Sequence, residues 1–369
     1  MKRREFAGKA LVGFAALKML GCASLGKKIE LNRGMVEYSP EILKEKRSRP
    51  KGSMPMREIG TTGIKVSNFT FGSHMTKSLI PFEKEREFMI REANDLGINL
   101  FDIYDSSSHQ FEPMGRYLGP IRKDVLVSVH ATEYGSVYEG NSEALPVGKG
   151  IEKMLRVMRR ECIDLVRNYC HTPDHENMKN WETLFKLKEQ GKIRAVGTPV
   201  HFPHQLDPII DVYPIDFVVF PYNFYHNLNY RGDHVKGVPK MVKKLRDRGI
   251  GVIVMKPFAS EWFIPHLLQA SKEIDETGGI RLPQAMLRYI INSDIDADTT
   301  MGGMYSLKEV YENIEAYYKP KIPKEEKMHL EKLRKVTKVI ADAVLPKHYR
   351  FLKEWGPDGS NHQRKTDLA

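Results

Sequence analysis

Cysteine is scarce in this chain, and no long apolar run or clustered charge makes up for it. Only Cys22, Cys162 and Cys170 occur in 369 residues. The last two are expected on one strand and its approach. Fully extended, at about 3.3 Å per residue, they lie roughly 26 Å apart, well past the roughly 7 Å Cα separation a disulfide tolerates. No internal disulfide is expected, and without a four-cysteine set no iron–sulfur cluster is expected either. The apolar stretch at residues 10–20 is too short to span a bilayer, and Lys18 interrupts it. No Gly-x-Gly-x-x-Gly follows an early strand, which weakens an open dinucleotide-binding sheet. No repeat is visible beyond an alternation of short apolar and amphipathic segments. The net charge of +11 invites nucleic acid as a partner. The basic residues are scattered among acidic ones, however, and no aromatic-basic motif accompanies them, so no nucleic-acid partner is expected.

What the chain does have begins at its N-terminus. Lys2, Arg3, Arg4, Lys9 and Lys18 stand against Glu5 alone, so part of the positive excess sits in this segment. Arg3-Arg4 with Phe6, followed by the apolar stretch, resembles a twin-arginine export signal. Met19-Leu20-Gly21-Cys22 resembles a lipobox, in which Cys22 would be lipidated. The chain therefore divides into a signal segment (1–28), a charged, proline-containing linker (29–56), a catalytic-size domain (57–319) and a C-terminal helix with a polar tail (320–369). The expected location is exported, periplasmic or membrane-anchored through Cys22, with the twin-arginine machinery as a partner.

From residue 57 the pattern becomes β/α. Strands are expected at residues 66–71, 99–102, 125–129, 165–170, 194–198, 217–220, 251–255 and 299–301. Helices are expected at 83–96, 149–159, 181–190, 283–291, 307–317 and 324–344. Eight strands in such regular alternation argue for an α/β fold closed as a (β/α)8 TIM barrel, whose site forms at the C-terminal ends of the strands. Those ends are rich in polar groups: Asp102, Tyr104, Asp105, His109, His130, Tyr169, His171, His201, His204, Tyr222, Asn223 and Lys256.

Three stretches carry a resemblance. KLKEQGKIRAVGTPVH (186–201), INLFD (98–102) and MGGMYSLKEVYENIEA (301–316) resemble landmarks of the aldo/keto reductase family. The resemblance implies a single barrel that moves hydride between a nicotinamide nucleotide and a carbonyl or alcohol. It also implies a proton-donating tyrosine, a lysine paired to an aspartate, and a histidine that orients the carbonyl. Asp102 matches the aspartate. The tyrosine position falls on Ser107, with Tyr104 the nearest tyrosine. The lysine position falls on His130. The histidine position falls on Tyr169, with His171 two residues on and on the same face. The arrangement expected from these residues sets Asp102 near His130, with Tyr104 or Tyr169 as donor.

On the cofactor side the match is uneven. A Ser-Asn pair expected after strand five is replaced by Pro199 and Val200, a glutamine by Val219, and the stacking aromatic by Met255, followed by Lys256. Gly302, Gly303, Met304, Ser306, Glu312 and Asn313 resemble the segment that holds the adenosine phosphate and adenine. Glu309 stands where a basic residue would grip a 2′-phosphate, which implies NAD or NADP with NAD favoured. Two other readings remain open. The chain could be an exported barrel without chemistry that serves as a binding or scaffold lipoprotein. Alternatively, His130, His171, His175, His201 and His204 with Asp102 could hold a metal for hydrolysis. Lys256 could form a Schiff base or simply a rim salt bridge.

Overall fold

The computed structural model of the chain describes residues 48–73, 83–104, 106–131, 145–168, 175–200, 203–224, 233–259, 263–275 and 278–344. An antiparallel hairpin comes first, β1 (Met56–Glu58) with β2 (Lys65–Ser67). Eight strands then follow: β3 (Phe69–Ser73), β4 (Leu100–Ile103), β5 (Leu126–His130), β6 (Ile163–Arg167), β7 (Ile193–Pro199), β8 (Phe217–Pro221), β9 (Gly251–Met255) and β10 (Thr299–Gly303). They close into a parallel barrel, with β10 paired to both β3 and β9. The surrounding helices are α1 (Glu83–Asp95), α2 (Ser108–Leu118), α3 (Val147–Met158), α4 (His175–Glu189), the short α5 (Asp207–Ile210), α6 (Asp233–Asp247), α7 (Ile264–Ile274), α8 (Leu282–Ile291), α9 (Leu307–Tyr318) and α10 (Lys324–Val344). The expected (β/α)8 barrel is therefore what the chain forms. Its strands are buried on both faces, so they read as short apolar runs rather than alternating ones.

Three local differences have physical causes. The strand expected at 66–71 is two strands. The chain breaks at Asn68, whose N–H donates to the Pro55 carbonyl at 2.8 Å and whose side chain donates to the Asp298 carbonyl at 2.9 Å. α2 has no counterpart in the sequence reading, because Pro113 and Gly115 lie inside it and serines precede it. β6 starts at Ile163 and ends at Arg167, so Tyr169 and Cys170, expected on that strand, lie outside the described residues.

The floor of the barrel shows a repeat at every second strand. Asn99, Asp164, Asp216 and Asp298 stand at the starts of β4, β6, β8 and β10. Each accepts a backbone N–H from the preceding strand segment: Ser67 at 2.7 Å, Val127 at 2.9 Å, Val196 at 2.7 Å and Val252 at 2.8 Å. The three aspartates also carry cations: Arg160 and Arg194 on Asp164, Lys188 on Asp216 and Arg246 on Asp298. The hairpin seals this end. Its Ile59, Ile64 and Val66 pack with Leu100, Leu165, Ala195, Phe217, Val219, Ile253 and Met301 in the lumen. Gly197 is required there, since a Cβ would stand 2.4 Å from the Phe217 carbonyl oxygen and 2.6 Å from its ring.

Upstream of the hairpin, Arg49 pairs with Glu92 at 2.8 Å and with Asp95 at 3.5 Å, both on the last turn of α1. Further round the barrel, past α9, α10 docks on α7 and α8. Ser271 and His329 share a 2.7 Å hydrogen bond, and buried Arg288 pairs with Glu326. Among the described residues no helix is long and apolar enough to cross a membrane.

Candidate active site

Above the apolar layers the lumen turns polar on one side. Strand alternation puts Asp102 over Leu100, Ser128 over Leu126 and Arg167 over Leu165, and the register sets Asp102 opposite Ser128 and His130 opposite Arg167. The Arg167 guanidinium joins three strands. Its Nη1 donates to Asp102 Oδ1 at 2.5 Å and to Ser128 Oγ at 2.7 Å. Its Nη2 donates to Asp102 Oδ2 at 3.2 Å and to the Tyr104 carbonyl at 3.4 Å. Both partners of the ion pair are about 5% exposed. Such a fork matches a carboxylate in a way a lysine cannot, and removing either partner would strand a buried charge.

The sequence reading sets Asp102 near His130 and names no cation for it; the structure adds Arg167, one strand further on, as a bidentate partner of Asp102. His130 closes β5 and is buried, and the Ala131 N–H after it donates to the Arg167 carbonyl at 2.9 Å. Arg167 was not among the candidate residues singled out from the sequence. The available signal was a lone arginine in IDLVR, two residues beyond Leu165 and so facing the lumen, where a charge needs a buried counter-ion.

Tyr104 follows β4 directly and is half-buried. Ser107, at the family's tyrosine position, is fully buried and caps α2, its carbonyl accepting from Gln110 N–H at 2.9 Å. His109 lies one residue into α2 with its ring beside the Gln110 amide. Tyr169, His171, Asp105 and His201 lie outside the described residues, as do the side chains of His175 and His204. Among the described residues no group of three or more His, Cys, Asp or Glu is placed to hold a metal.

The opposite wall is apolar. Pro199 and Val219 face each other in the β7–β8 register, Val200 is buried, and Met255 packs against the lumen cluster. Lys256 follows at φ +55°, a left-handed conformation rare for a side-chain-bearing residue. Asn223 donates to its carbonyl at 3.0 Å, as does the Ala259 N–H, and Ala259 is itself left-handed at φ +66°. This strained turn stands at the mouth beside the β10 loop.

That loop is built for close approach. A Cβ on Gly302 would meet the Phe69 ring at 2.8 Å, while Gly303 is exposed. Ser306 caps α9 by accepting from Glu309 N–H at 3.2 Å, and Glu309 reaches back to accept from Tyr305 N–H at 2.6 Å. This reciprocal box fixes the first turn, and burial pushes the Glu309 carboxyl above its ordinary range. Buried Arg86 lies under the loop, its guanidinium 4.8 Å over the Phe71 ring and donating to the Met304 carbonyl. Glu312 and Asn313 are buried as well.

The Ser306 hydroxyl and the Glu309 carboxylate already take N–H groups at the head of α9, so what the loop offers a phosphate-bearing ligand is the exposed Gly303 and the cation of Arg86 beneath it. The adenosine-phosphate end of a nicotinamide nucleotide thus fits the residues present. At the nicotinamide end, the side chains that would hydrogen-bond a carboxamide are replaced by Pro199, Val200 and Val219, which leaves packing against Met255.

A closed parallel barrel with a buried ion pair at its mouth and a glycine-containing loop after the eighth strand defines a (β/α)8 barrel with a polar site at the C-terminal ends of its strands. Residues 69–335 match the aldo/keto reductase family, and the chain belongs to that family. Among solved structures it is similar to an aldo-keto reductase from Bacillus halodurans. To the holo form it is 21% identical with a TM-score of 0.60, and to the apo form 21% identical with 0.55, covering 76% of this chain and 96% of that chain in both cases. A curated relative, named probable voltage-gated potassium channel subunit beta, from Oryza sativa subsp. japonica, is 29% identical over 130 residues. That match spans 33% of this chain and 38% of the relative.

Proposed function

We propose that this protein is an exported carbonyl reductase or alcohol dehydrogenase with an altered proton-handling set and a tightly held nicotinamide nucleotide. Membership of the family supports an oxidoreductase that uses such a nucleotide. The observation that carries the proposal is the Asp102–Arg167 pair. An aspartate at the end of the second barrel strand is clamped to a cation at the mouth, which is where the family pairs its aspartate with lysine.

When bound, the nicotinamide ring supplies or accepts the hydride, and the chain's residues handle the proton. In reduction a tyrosine hydroxyl gives its proton to the oxygen of the carbonyl being reduced and recovers one from solvent. His130, buried beside the pair, orients that oxygen. Tyr104 supplies a further polar group, and Tyr169 and His171, which follow β6 in the sequence, are the other candidates. The Gly302–Ser306 loop and Arg86 take the phosphates, with Glu312 and Asn313 toward the adenine. Glu309 in place of a basic residue at the start of α9 favours NAD over NADP. Lys256 holds the rim of the cofactor side. The twin-arginine signal supports export of an already folded, loaded protein, and Cys22 supports attachment to a membrane surface.

The test is to purify the chain from the cytoplasm, denature it and identify released small molecules by mass spectrometry. Stoichiometric NAD(H) or NADP(H) is the expected result. Protein that releases none and does not bind added nucleotide sinks the proposal in favour of a non-catalytic barrel.

A further inference from the structure

We infer that Arg167 is the positioning cation of this site, supplied from β6 in place of a lysine from β5, and that it acts through Asp102 and Tyr104. The inference rests on the reductase reading and assigns it a residue outside the family's pattern.

The argument begins with the vacated position. β5 ends in His130, and an imidazole is not a constant cation near neutral pH. Without a replacement, Asp102 would be a buried carboxylate with no fixed counter-charge, which is costly. The guanidinium of Arg167 fills that role from the neighbouring strand. Its contacts go further than charge balance. One nitrogen spans Asp102 and Ser128, and the other spans Asp102 and the carbonyl of Tyr104. Tyr104 is the first residue beyond β4 and, by strand alternation, shares the face of Asp102. Arg167 therefore ties down the backbone at the point where the chain leaves the barrel wall, the point from which the Tyr104 side chain departs. This selects Tyr104 as the donor that the cation serves.

An arginine stays protonated throughout the working range, so it moves no proton itself. The proton passes from the Tyr104 hydroxyl to the alkoxide oxygen that hydride addition creates, and the resulting phenolate is stabilised by the fixed charge below it. In a lysine-based site the cation can itself titrate, at about 10.4 when unperturbed. Here it cannot.

The experiment compares the full chain with Arg167→Leu, Arg167→Lys, the double variant His130→Lys/Arg167→Leu, and Tyr104→Phe. Readouts are NADH binding by fluorescence quenching, the thermal midpoint, and the pH profile for reduction of 4-nitrobenzaldehyde. Arg167→Leu is expected to lose at least about 100-fold in kcat. The double variant, which returns a cation to β5, is expected to recover at least tenfold of that loss. Arg167→Lys is expected to keep NADH binding within about threefold and to shift the basic limb of the kcat profile to lower pH, because its cation can titrate. Tyr104→Phe is expected to lose kcat with KM nearly unchanged.

A wild type that neither binds NADH nor reduces the aldehyde overturns the reductase reading and this inference together. A competent wild type with an equally competent Arg167→Leu variant overturns the inference alone. So does a folded double variant that recovers nothing, or an unmoved basic limb in Arg167→Lys. A fully active Tyr104→Phe overturns the assignment of Tyr104.

Discussion

Lys256 shows how a single residue can hold strain at the mouth. Its φ of +55° costs an L-residue roughly 1–2 kcal/mol, and strain of this kind persists where surrounding contacts over-determine it. Here Asn223 and the Ala259 N–H both hold the Lys256 carbonyl. Glycine adopts this conformation freely but loses more chain entropy on folding. Lys256→Gly is therefore expected to be more stable by about 0.5–1 kcal/mol, which urea unfolding with an unchanged m-value checks, and to bind nucleotide more weakly if the lysine side chain serves the cofactor. At this scale the site was only partly legible. Asp102 could be read because LFD carries it at a strand end. Its partner could not, because the Asp102–Arg167 contact joins residues 65 apart in sequence, and only strand order and register bring them together. The residues after β6 could not be placed from the strand pattern either, since Tyr169 and His171 were counted forward along a strand that ends at Arg167.

At the scale of elements, the floor aspartates bind alternate strands to their predecessors. They differ in what losing the charge would cost. Asp164 is almost fully buried and holds Arg160 and Arg194 together with a backbone N–H. Asp216 faces a lysine that is one-third exposed, so solvent screens the pair. Asp164→Asn is expected to cost about 3 kcal/mol and Asp216→Asn about 1 kcal/mol or less, measured as shifts in denaturant midpoint. Asparagine can keep the backbone N–H bond at both sites, so equal losses would show that burial of the ion pair does not set the cost. Elements with strong apolar runs were readable in advance, and β9 and α10 have the bounds the sequence suggested. α2 was not readable, because Pro113 and Gly115 suppress helix propensity and tertiary packing overrides it: Phe111, Met114 and Leu118 of this helix are buried against the barrel. The break at Asn68 also escaped, since Val66, Phe69 and Phe71 read as one apolar stretch and only long-range bonds from Asn68 to Pro55 and Asp298 separate the two strands.

For the whole molecule, closure of the barrel was legible because eight regularly spaced apolar segments leave few other solutions. The way the last helix is attached was not. α10 rests on α7 partly through the Ser271–His329 bond. Burial, the largest influence, lowers the His329 pKa from its ordinary 6.5; Asp275 opposes the shift and Lys332 adds to it. The fold thus prefers the neutral imidazole. The unfolded chain takes up a proton as pH falls through 6.5 while the fold resists it, so this contribution to stability is present above that pH and lost below it. Hydrogen-exchange protection along residues 324–344, taken relative to the intrinsic rate at each pH, is expected to fall between pH 6.5 and 5, and His329→Gln is expected to flatten that dependence. Protection that is insensitive to pH in the wild type would count against the histidine as the cause.

The route by which the chain enters the barrel has a consequence for orientation. Arg49 is tied to the last turn of α1, and the hairpin that follows closes the floor. Anything joined to the protein ahead of residue 48 is therefore attached at the side and base of the barrel, away from Asp102, Arg167 and the β10 loop. A copy held to a surface by its N-terminal end would be tethered from the base side, which leaves its mouth free to face the solution. Small molecules in the surrounding solution would then reach the site without passing between the protein and the surface that holds it.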